Sequence, residues 1–386
     1  MQDSIPKLAE DYFDTLARWF PVMCASDEFH FLPRCQAAEK YYDRLDDLDS
    51  TAVSRSIHIL NEFRRKFEIF SDLENGLDQL TDLQLLKASV AGVLIELENT
   101  QTWRHNPLLY LKIAFIGLDH ALTKPADSAE QRTERARSRM KAIPKLLRQA
   151  EVNMVSVPKT YHHAALGMLS DCEVYLNELE NQVPQEQIRQ LESHIKQAHS
   201  ALVEFAKFLA ATTPVSDRSL ALSDIEMTLR ERFVSTRSLA EIYAIAVEEW
   251  SENMEQLTAL QAAIDPDKSW QNLYHEYFPP HVGELDTMTL YRREMENLQQ
   301  FFSVNGFKGN TSAGLPEICE TPAYLRSLRS SASFSAAFSS DIRETDYFYI
   351  TTHSLPQISS QAKELLRKRL HREYQFLTAH EAFPGH

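Results

Sequence analysis

Glycine is scarce in this chain, with 9 residues in 386, and only five of them precede residue 300. Such scarcity, combined with long stretches of 3.6-residue hydrophobic period, predicts one helix after another. No run of 18 apolar residues occurs, so we expect no membrane-spanning segment. Residues 1–9 contain no apolar secretory core, so we also expect no signal peptide.

An excess of basic charge is missing as well, and so are closely paired cysteines. The formal net charge is −15, which argues against non-specific binding to nucleic acid or to an anionic membrane. The four cysteines, Cys24, Cys35, Cys172 and Cys319, show no C-x-x-C spacing. We therefore expect reduced thiols in a cytoplasmic protein. In an oxidising compartment, Cys24 and Cys35 could form a disulfide.

Hydrophobic periodicity predicts a mainly α fold, a large array of long antiparallel helices. We expect helix to exceed about 60% of residues, roughly twice the usual share. Asn106 and Pro107 predict a helix start, and Pro144 is expected to kink or divide its helix. The predicted helices cover residues 7–20, 36–48, 52–71, 79–100, 107–122, 128–157, 160–181, 185–212, 222–233, 237–263 and 284–303.

The C-terminal run from Gln361 to His380 has one apolar helical face, which we expect to deliver its last residues to an interior position. That face is formed by Leu366, Leu370, Tyr374 and Leu377. The next residues read His380-Glu381-Ala382-Phe383-Pro384-Gly385-His386. A His-Glu pair at the end of such a helix is typical of zinc peptidases, where the His binds metal and the Glu activates water.

The second histidine of this motif follows His380 by six residues instead of the usual four. Six residues of unbroken helix turn by about 600° and rise about 9 Å. Two zinc ligands each lie about 2.0–2.1 Å from the metal. His380 and His386 can therefore share a zinc only if the helix breaks between them. Pro384 removes a backbone donor and Gly385 adds backbone freedom, so a break is predicted there.

The same spacing occurs earlier, at His275-Glu276-Tyr277-Phe278-Pro279-Pro280-His281. That copy follows a short run and ends in two prolines, which indicates a plain helix stop. Spacing alone is therefore weak evidence, and context favours the later copy as the metal site.

Composition changes after residue 303, which divides the chain into a helical domain at 1–303, with one or two sub-bundles, and a catalytic region beginning at 304–386. A small hairpin or sheet is expected there, from Leu315–Glu320 and Asp346–Thr352. An edge strand beside a zinc site can pair with a peptide substrate, so Tyr347 and Tyr349 are candidate substrate-binding residues. A structural hairpin under the last helix is the equal alternative.

Several stretches together resemble the bacterial domain-of-unknown-function family 885, which is similar to the gluzincin-type zinc peptidases. The C-terminal motif resembles the family's H-E-x-x-P-G-H-H signature. Three further stretches support it: Trp103–Tyr110, Met140–Leu147 and Pro316–Pro322. Family chains continue past this motif, so the resemblance implies a chain cut off inside its own active site. It also implies a second His directly after His386 and a further Glu ligand downstream.

The resemblance implies a zinc-dependent peptidase that hydrolyses short peptides. His380 would ligate Zn²⁺, with His386 or the residue after it as second ligand, and Glu381 would act as the catalytic base. Two ligands at the end of a chain should hold zinc weakly, so this form is expected to be inactive. The alternative is a non-catalytic helical scaffold or interaction protein. Neither nucleic acid nor membrane is an expected partner, and the oligomeric state stays open.

Overall fold

The computed structural model describes residues 4–71, 76–217, 219–280, 282, 285–305, 315–329, 331–338, 341, 343–352 and 359–385. Helix accounts for 71% of the structure, with a small three-stranded sheet near the C-terminus. The mainly α fold and the helix content above 60% are therefore confirmed. None of the described helices combines the length and apolar character needed to cross a membrane.

Thirteen α-helices and three strands occur in the described residues. The helices are α1 (Ile5–Trp19), α2 (Ser50–Ser71), α3 (Leu77–Leu94), α4 (Thr102–His105), α5 (Pro107–Thr123), α6 (Ala129–Asn153), α7 (Lys159–Gln182), α8 (Gln185–Ala211), α9 (Leu222–Met227), α10 (Leu239–Ile264), α11 (Trp270–Glu276), α12 (Thr287–Val304) and α13 (Ser360–Glu381). The strands are β1 (Glu317–Glu320), β2 (Ala332–Ser335) and β3 (Tyr347–Ile350).

Local signals explain several helix boundaries. The Asn106 side chain accepts the N–H of Leu108 at 3.0 Å, and Pro107 begins α5, as predicted. Pro144, in contrast, neither divides α6 nor ends it. Because α6 packs between α5 and α8 along its length, this packing outweighs the one backbone hydrogen bond that proline removes.

The helix predicted over 36–48 is largely wrong. Only Gln36–Tyr41 is helical there, as a 3₁₀ helix. The buried Asp46 carboxylate instead accepts the N–H groups of Val22 at 3.2 Å and Met23 at 3.4 Å. Leu48 donates its N–H to the Gln149 side chain at 3.2 Å. These distant partners hold the segment in an irregular conformation, which the hydrophobic periodicity of the segment does not predict.

Two hydrophobic cores organise the chain. The larger joins helices α1 to α8 with the turn Ala323–Leu325. The smaller joins α12, the sheet and α13, and its members are Tyr291, Met295, Ile318, Phe348, Ile350, Leu370, Leu377 and Ala382. The predicted domain boundary after residue 303 stays a prediction. The smaller core is the one that positions the end of α13.

The sheet has the order β1–β3–β2. β1 pairs with β3 in parallel, and β2 pairs with β3 in antiparallel register. β3 is therefore the central strand, so the expectation of an edge strand at Tyr347 and Tyr349 was wrong. The edge positions belong to β1 and β2, and β2 lies in a serine-rich segment that we did not predict as a strand. β2 also lies against α13.

An irregular segment between α1 and α2 supports this sheet through charged contacts. Glu28 forms ion pairs with Lys112 at 2.8 Å and with Arg329 just before β2. Arg329 also donates to Ser333 within β2. Arg34 donates to the carbonyl oxygen of Ala336 at 2.7 Å. The segment thus braces β2 from the helical body.

We expect Glu28→Gln to destabilise the protein in a pH-dependent way. Burial raises the pKa of Glu28, but Arg329 and Lys112 outweigh it and lower that pKa from 4.5 to about 2. A lowered folded-state pKa contributes stability above pH 4.5 that is lost as pH falls towards 2. The shift corresponds to about 3 kcal/mol. Denaturant unfolding should show the full loss at pH 7.

At pH 3 the difference between parent and Glu28→Gln should shrink by about half or more, because the carboxylate's contribution is partly titrated away. Glu192→Gln, at an exposed helical pair with Lys196, is the matched control and should change stability little at either pH. An equal loss for Glu28→Gln at both pH values would show that the ion pairs do not carry the effect.

Candidate metal centre

The sequence predicted most of helix α13 correctly. The helix begins at the Ser359 cap, whose hydroxyl accepts the N–H of Ala362 at 3.2 Å. Leu370 and Leu377 are buried in the smaller core. The Tyr291 hydroxyl donates to the carbonyl oxygen of Leu370 at 3.0 Å. The last turn of α13 is therefore fixed against α12 and the sheet.

His380 is exposed and Glu381 is half-buried, so the expectation that both reach an interior position was wrong. His380 follows the buried Leu377 by three residues, a turn of about 300° on the helix. That turn places His380 to one side of the packed face. Its imidazole stacks on Phe376, with ring centroids 5.8 Å apart and an interplanar angle of 9°. His380 and its neighbour Glu381 thus stand where a ligand could approach from solvent.

The helix ends immediately after this pair, as predicted. The N–H groups of Ala382 and Phe383 both donate to the carbonyl oxygen of Thr378 at 3.0 Å. The Phe383–Pro384 peptide bond is cis. Gly385 then lies so close to the helix end that a Cβ on it would be 1.9 Å from the carbonyl oxygen of His380. The chain therefore folds back against the last turn of α13.

His386 lies outside the described residues, so its pairing with His380 stays a prediction. So does any contribution of His353, which is also outside them. Within the described part of the chain, no three His, Cys, Asp or Glu side chains come together as a metal site. The groups at the end of α13 that could contact a metal are the imidazole of His380 and the neighbouring carboxyl group of Glu381.

Gly385→Ala is expected to disturb this centre strongly. A methyl group would collide with the backbone of His380, which cannot move without unwinding the end of α13. Zinc affinity, measured by competition with a chromogenic chelator on a chain that includes the residues after His386, should fall about 10–100-fold. That is the range for losing a group that orients a ligand.

Gly76→Ala is the matched control, because none of the described residues has an atom within 4 Å of the added Cβ. Its zinc affinity should equal that of the parent. Unchanged affinity in Gly385→Ala would mean that the fold-back does not position a ligand.

The earlier copy of the motif supports α13 from outside the centre. Arg372 of α13 donates to the carbonyl oxygens of His275 and Tyr277, both at 3.0 Å. Its guanidinium lies 4.5 Å from the ring centroid of Tyr274. Glu276 pairs with Lys268 at 2.5 Å. These contacts give the segment a structural role, and His281 lies outside the described residues.

Replacing His275 and His281 together with Ala should leave the zinc content of a chain with a complete centre unchanged. Arg372 binds the backbone carbonyl of His275 and not its imidazole, so the bracing contact survives the substitution. Metal analysis of the purified variant checks this. Loss of zinc from a folded variant would place the metal at the earlier copy.

The two candidate substrate-binding tyrosines face away from α13. Phe348 and Ile350 belong to the core that holds α13, and side chains alternate along a strand. Tyr347 and Tyr349 therefore lie on the other face of the sheet, with their rings stacked 5.6 Å apart. The structure does not bring them together with His380.

These tyrosines line a cavity of about 50 Å³ beside Asp119 and His120, which is room for one or two waters. Burial raises the pKa of Asp119 to about 6, although the Tyr175 hydroxyl, at 3.1 Å, opposes that rise. Sequence reasoning did not single out Asp119 or His120, because both lie within the apolar helix α5.

The fold and its C-terminal motif define a class: large, mostly helical proteins whose last described helix ends in the His380–Glu381 pair and packs against a small sheet. The chain belongs to the family described as "Bacterial protein of unknown function (DUF885)", whose model matches residues 35–386. No curated protein matches it.

Two solved structures are similar to the whole chain. One is described as a "putative lipoprotein of unknown function" from Shewanella oneidensis, with a TM-score of 0.66 and 16% identity over 100% of this chain and 71% of that one. The other is described as the "putative lipoprotein" from Colwellia psychrerythraea, with a TM-score of 0.63 and 12% identity over 100% and 72%. At these identities the likeness shows a shared fold.

Proposed function

We propose that this protein is a zinc-dependent peptidase of the gluzincin type whose centre lies at the end of α13. One observation carries the proposal. α13 presents the His380–Glu381 pair at its solvent-accessible end and then breaks, with Gly385 packed against the carbonyl of His380. A side chain at this position would collide with the carbonyl group of His380, so the fold-back requires glycine there.

The residues divide the chemical work as follows. His380, with His386 or the residue after it, holds the metal through imidazole nitrogens. Zinc bound there supplies Lewis acidity and lowers the pKa of a water to about 7. Glu381 takes a proton from the attacking water and gives it to the leaving amine. Phe376 stacks on the imidazole of His380 and limits its rotation.

β2 is the element best placed to bind a peptide backbone. It pairs with β3 on one side and with none of the described strands on the other. It also lies against α13. An extended peptide could add to the outer edge of β2 by main-chain hydrogen bonds. Short peptides are the substrates that we propose, in line with the family resemblance.

One observation favours the alternative of an interaction protein. None of the described residues of α10 is buried, and its Tyr243 and Trp250 side chains are each 71% exposed. Large exposed aromatic residues are typical of protein-binding surfaces. A scaffold would bind a partner through α10 and would not need zinc.

One assay distinguishes a zinc-dependent peptidase from an interaction protein. The 386-residue chain and a chain extended past His386 are loaded with zinc and incubated with a mixture of short peptides. The extended chain should cleave peptides, lose this activity with 1,10-phenanthroline and regain it with added zinc. The 386-residue chain should lose its zinc on dialysis. An extended chain that holds zinc stoichiometrically yet cleaves no peptide would refute the peptidase.

Location stays a prediction. Scattered cysteines favoured the cytoplasm, whereas both structural neighbours carry the description of lipoproteins.

A further inference from the structure

Cys24 and Cys35 meet in space within the segment that braces β2. The N–H of Cys35 donates to the carbonyl oxygen of Cys24 at 2.9 Å, and the Cys35 thiol donates to the carbonyl oxygen of Phe13 at 3.6 Å. This hydrogen bond between Cys35 and Cys24 brings the two backbones into direct contact, and a disulfide bridges Cα atoms about 4.4–6.8 Å apart. Cys172 is buried elsewhere in the larger core and Cys319 lies in β1.

The two thiols differ in reactivity. The neighbouring Cys24 thiol lowers the pKa of Cys35 against the opposing effect of burial, and the backbone N–H groups of Ala38 and Ala37 add to this. Burial raises the pKa of Cys24 well above its usual value. The thiolate is the form that attacks a disulfide. Cys35 is therefore the thiol that reacts first.

We propose that Cys24 and Cys35 form an intramolecular disulfide that locks the loop bracing β2. The Cys35 thiolate attacks a disulfide oxidant such as oxidised glutathione, forms a mixed disulfide and releases one thiol. The Cys24 thiol then loses its proton and attacks the sulfur of Cys35, which releases the second thiol. Two protein thiols are oxidised, and one oxidant disulfide is reduced to two thiols.

The closed loop holds the contacts that support the sheet. It runs from Cys24 through Cys35, twelve residues, and includes Glu28 and Arg34. Glu28 pairs with Arg329 before β2, and Arg34 binds the carbonyl of Ala336 just after it. Closing a loop of this length reduces the freedom of the unfolded chain. The disulfide should therefore stabilise the protein and slow local opening of β2, without any assumption about zinc or peptidase activity.

The test uses the 386-residue chain. The folded protein is incubated with oxidised glutathione, and a second sample is refolded from denaturant in a glutathione redox couple. The free thiols are then alkylated in denaturant, and the mass of the intact protein is measured by mass spectrometry to count them. Alkylated thiols should fall from four to two, and a peptide map should join Cys24 to Cys35. Tm should rise by about 2–6 °C over the reduced form.

Hydrogen exchange adds a readout of the brace, because the amides of residues 331–336 should exchange more slowly in the oxidised protein. The control Cys172→Ala, at an equally buried site, should still lose two thiols on oxidation. Cys24→Ala and Cys35→Ala should each lose none and show no oxidation-dependent rise in Tm. Four free thiols after redox refolding, a bridge to Cys172 or Cys319, or an unchanged Tm and unchanged exchange on oxidation would each overturn the proposal.

Discussion

Glu381→Gln should lower peptide hydrolysis by about 10²–10⁴-fold, the usual contribution of a general base, while zinc stays bound. Glutamine keeps the size and hydrogen-bonding reach of the side chain but removes the basic oxygen. Glu381 directly follows His380 on α13 and is half-buried, so it can reach a water on the metal without being a ligand. The measurement is kcat/KM and zinc content on a chain that includes the residues after His386.

Glu364→Gln provides the matched control on the same helix. Glu364 is exposed and pairs with Arg367 at 2.9 Å, far from the end of α13, and its loss should leave kcat/KM within about twofold because exposed pairs contribute little. Near-normal turnover in Glu381→Gln on every peptide that the parent cleaves would remove Glu381 from the mechanism. α13 would then be a structural helix with a peptidase-like ending.

His380→Ala should abolish activity by a different route, through loss of the metal. A catalytic zinc has three protein ligands plus water, so removal of one imidazole leaves a site that binds weakly. Zinc content should fall by more than tenfold after dialysis. The exposed position of His380 predicts that the fold survives, with unchanged circular dichroism.

The two variants therefore agree in lost activity and differ in metal content. His275→Ala is the control for histidine removal as such and should retain both zinc and activity. If His380→Ala keeps stoichiometric zinc, His380 is not a ligand, whatever happens to turnover.

The sequence-based predictions were correct where interactions between residues close in sequence determine the structure. Asn106 and Pro107 set a helix start through one local cap, and the break after Glu381 follows from residues within one turn of it. Leu370 and Leu377 are buried because their spacing matches the helical period. At both helix ends the partners that fix the conformation lie within a few residues, and in α13 the regular spacing of the leucines is enough to predict which face is buried.

The sequence-based predictions were wrong where contacts with residues distant in sequence determine the conformation. The segment around Asp46 is held by backbone groups of Val22 and Met23, contacts that no helical period reveals. β2 is serine-rich and becomes a strand because β3 pairs with it. The same topology places Tyr349 on the far face of the sheet. His386, one of the two residues predicted as the second ligand, is beyond the described residues, so that part of the centre rests on the sequence alone.

Anomalous diffraction at the zinc edge, on crystals of a chain that includes the residues after His386, tests whether His380 binds the metal. The account predicts one strong peak about 2.0–2.1 Å from an imidazole nitrogen of His380, with Glu381 near the metal but outside bonding distance. A zinc peak beside His275, or a zinc-saturated crystal with no peak at His380, would contradict it.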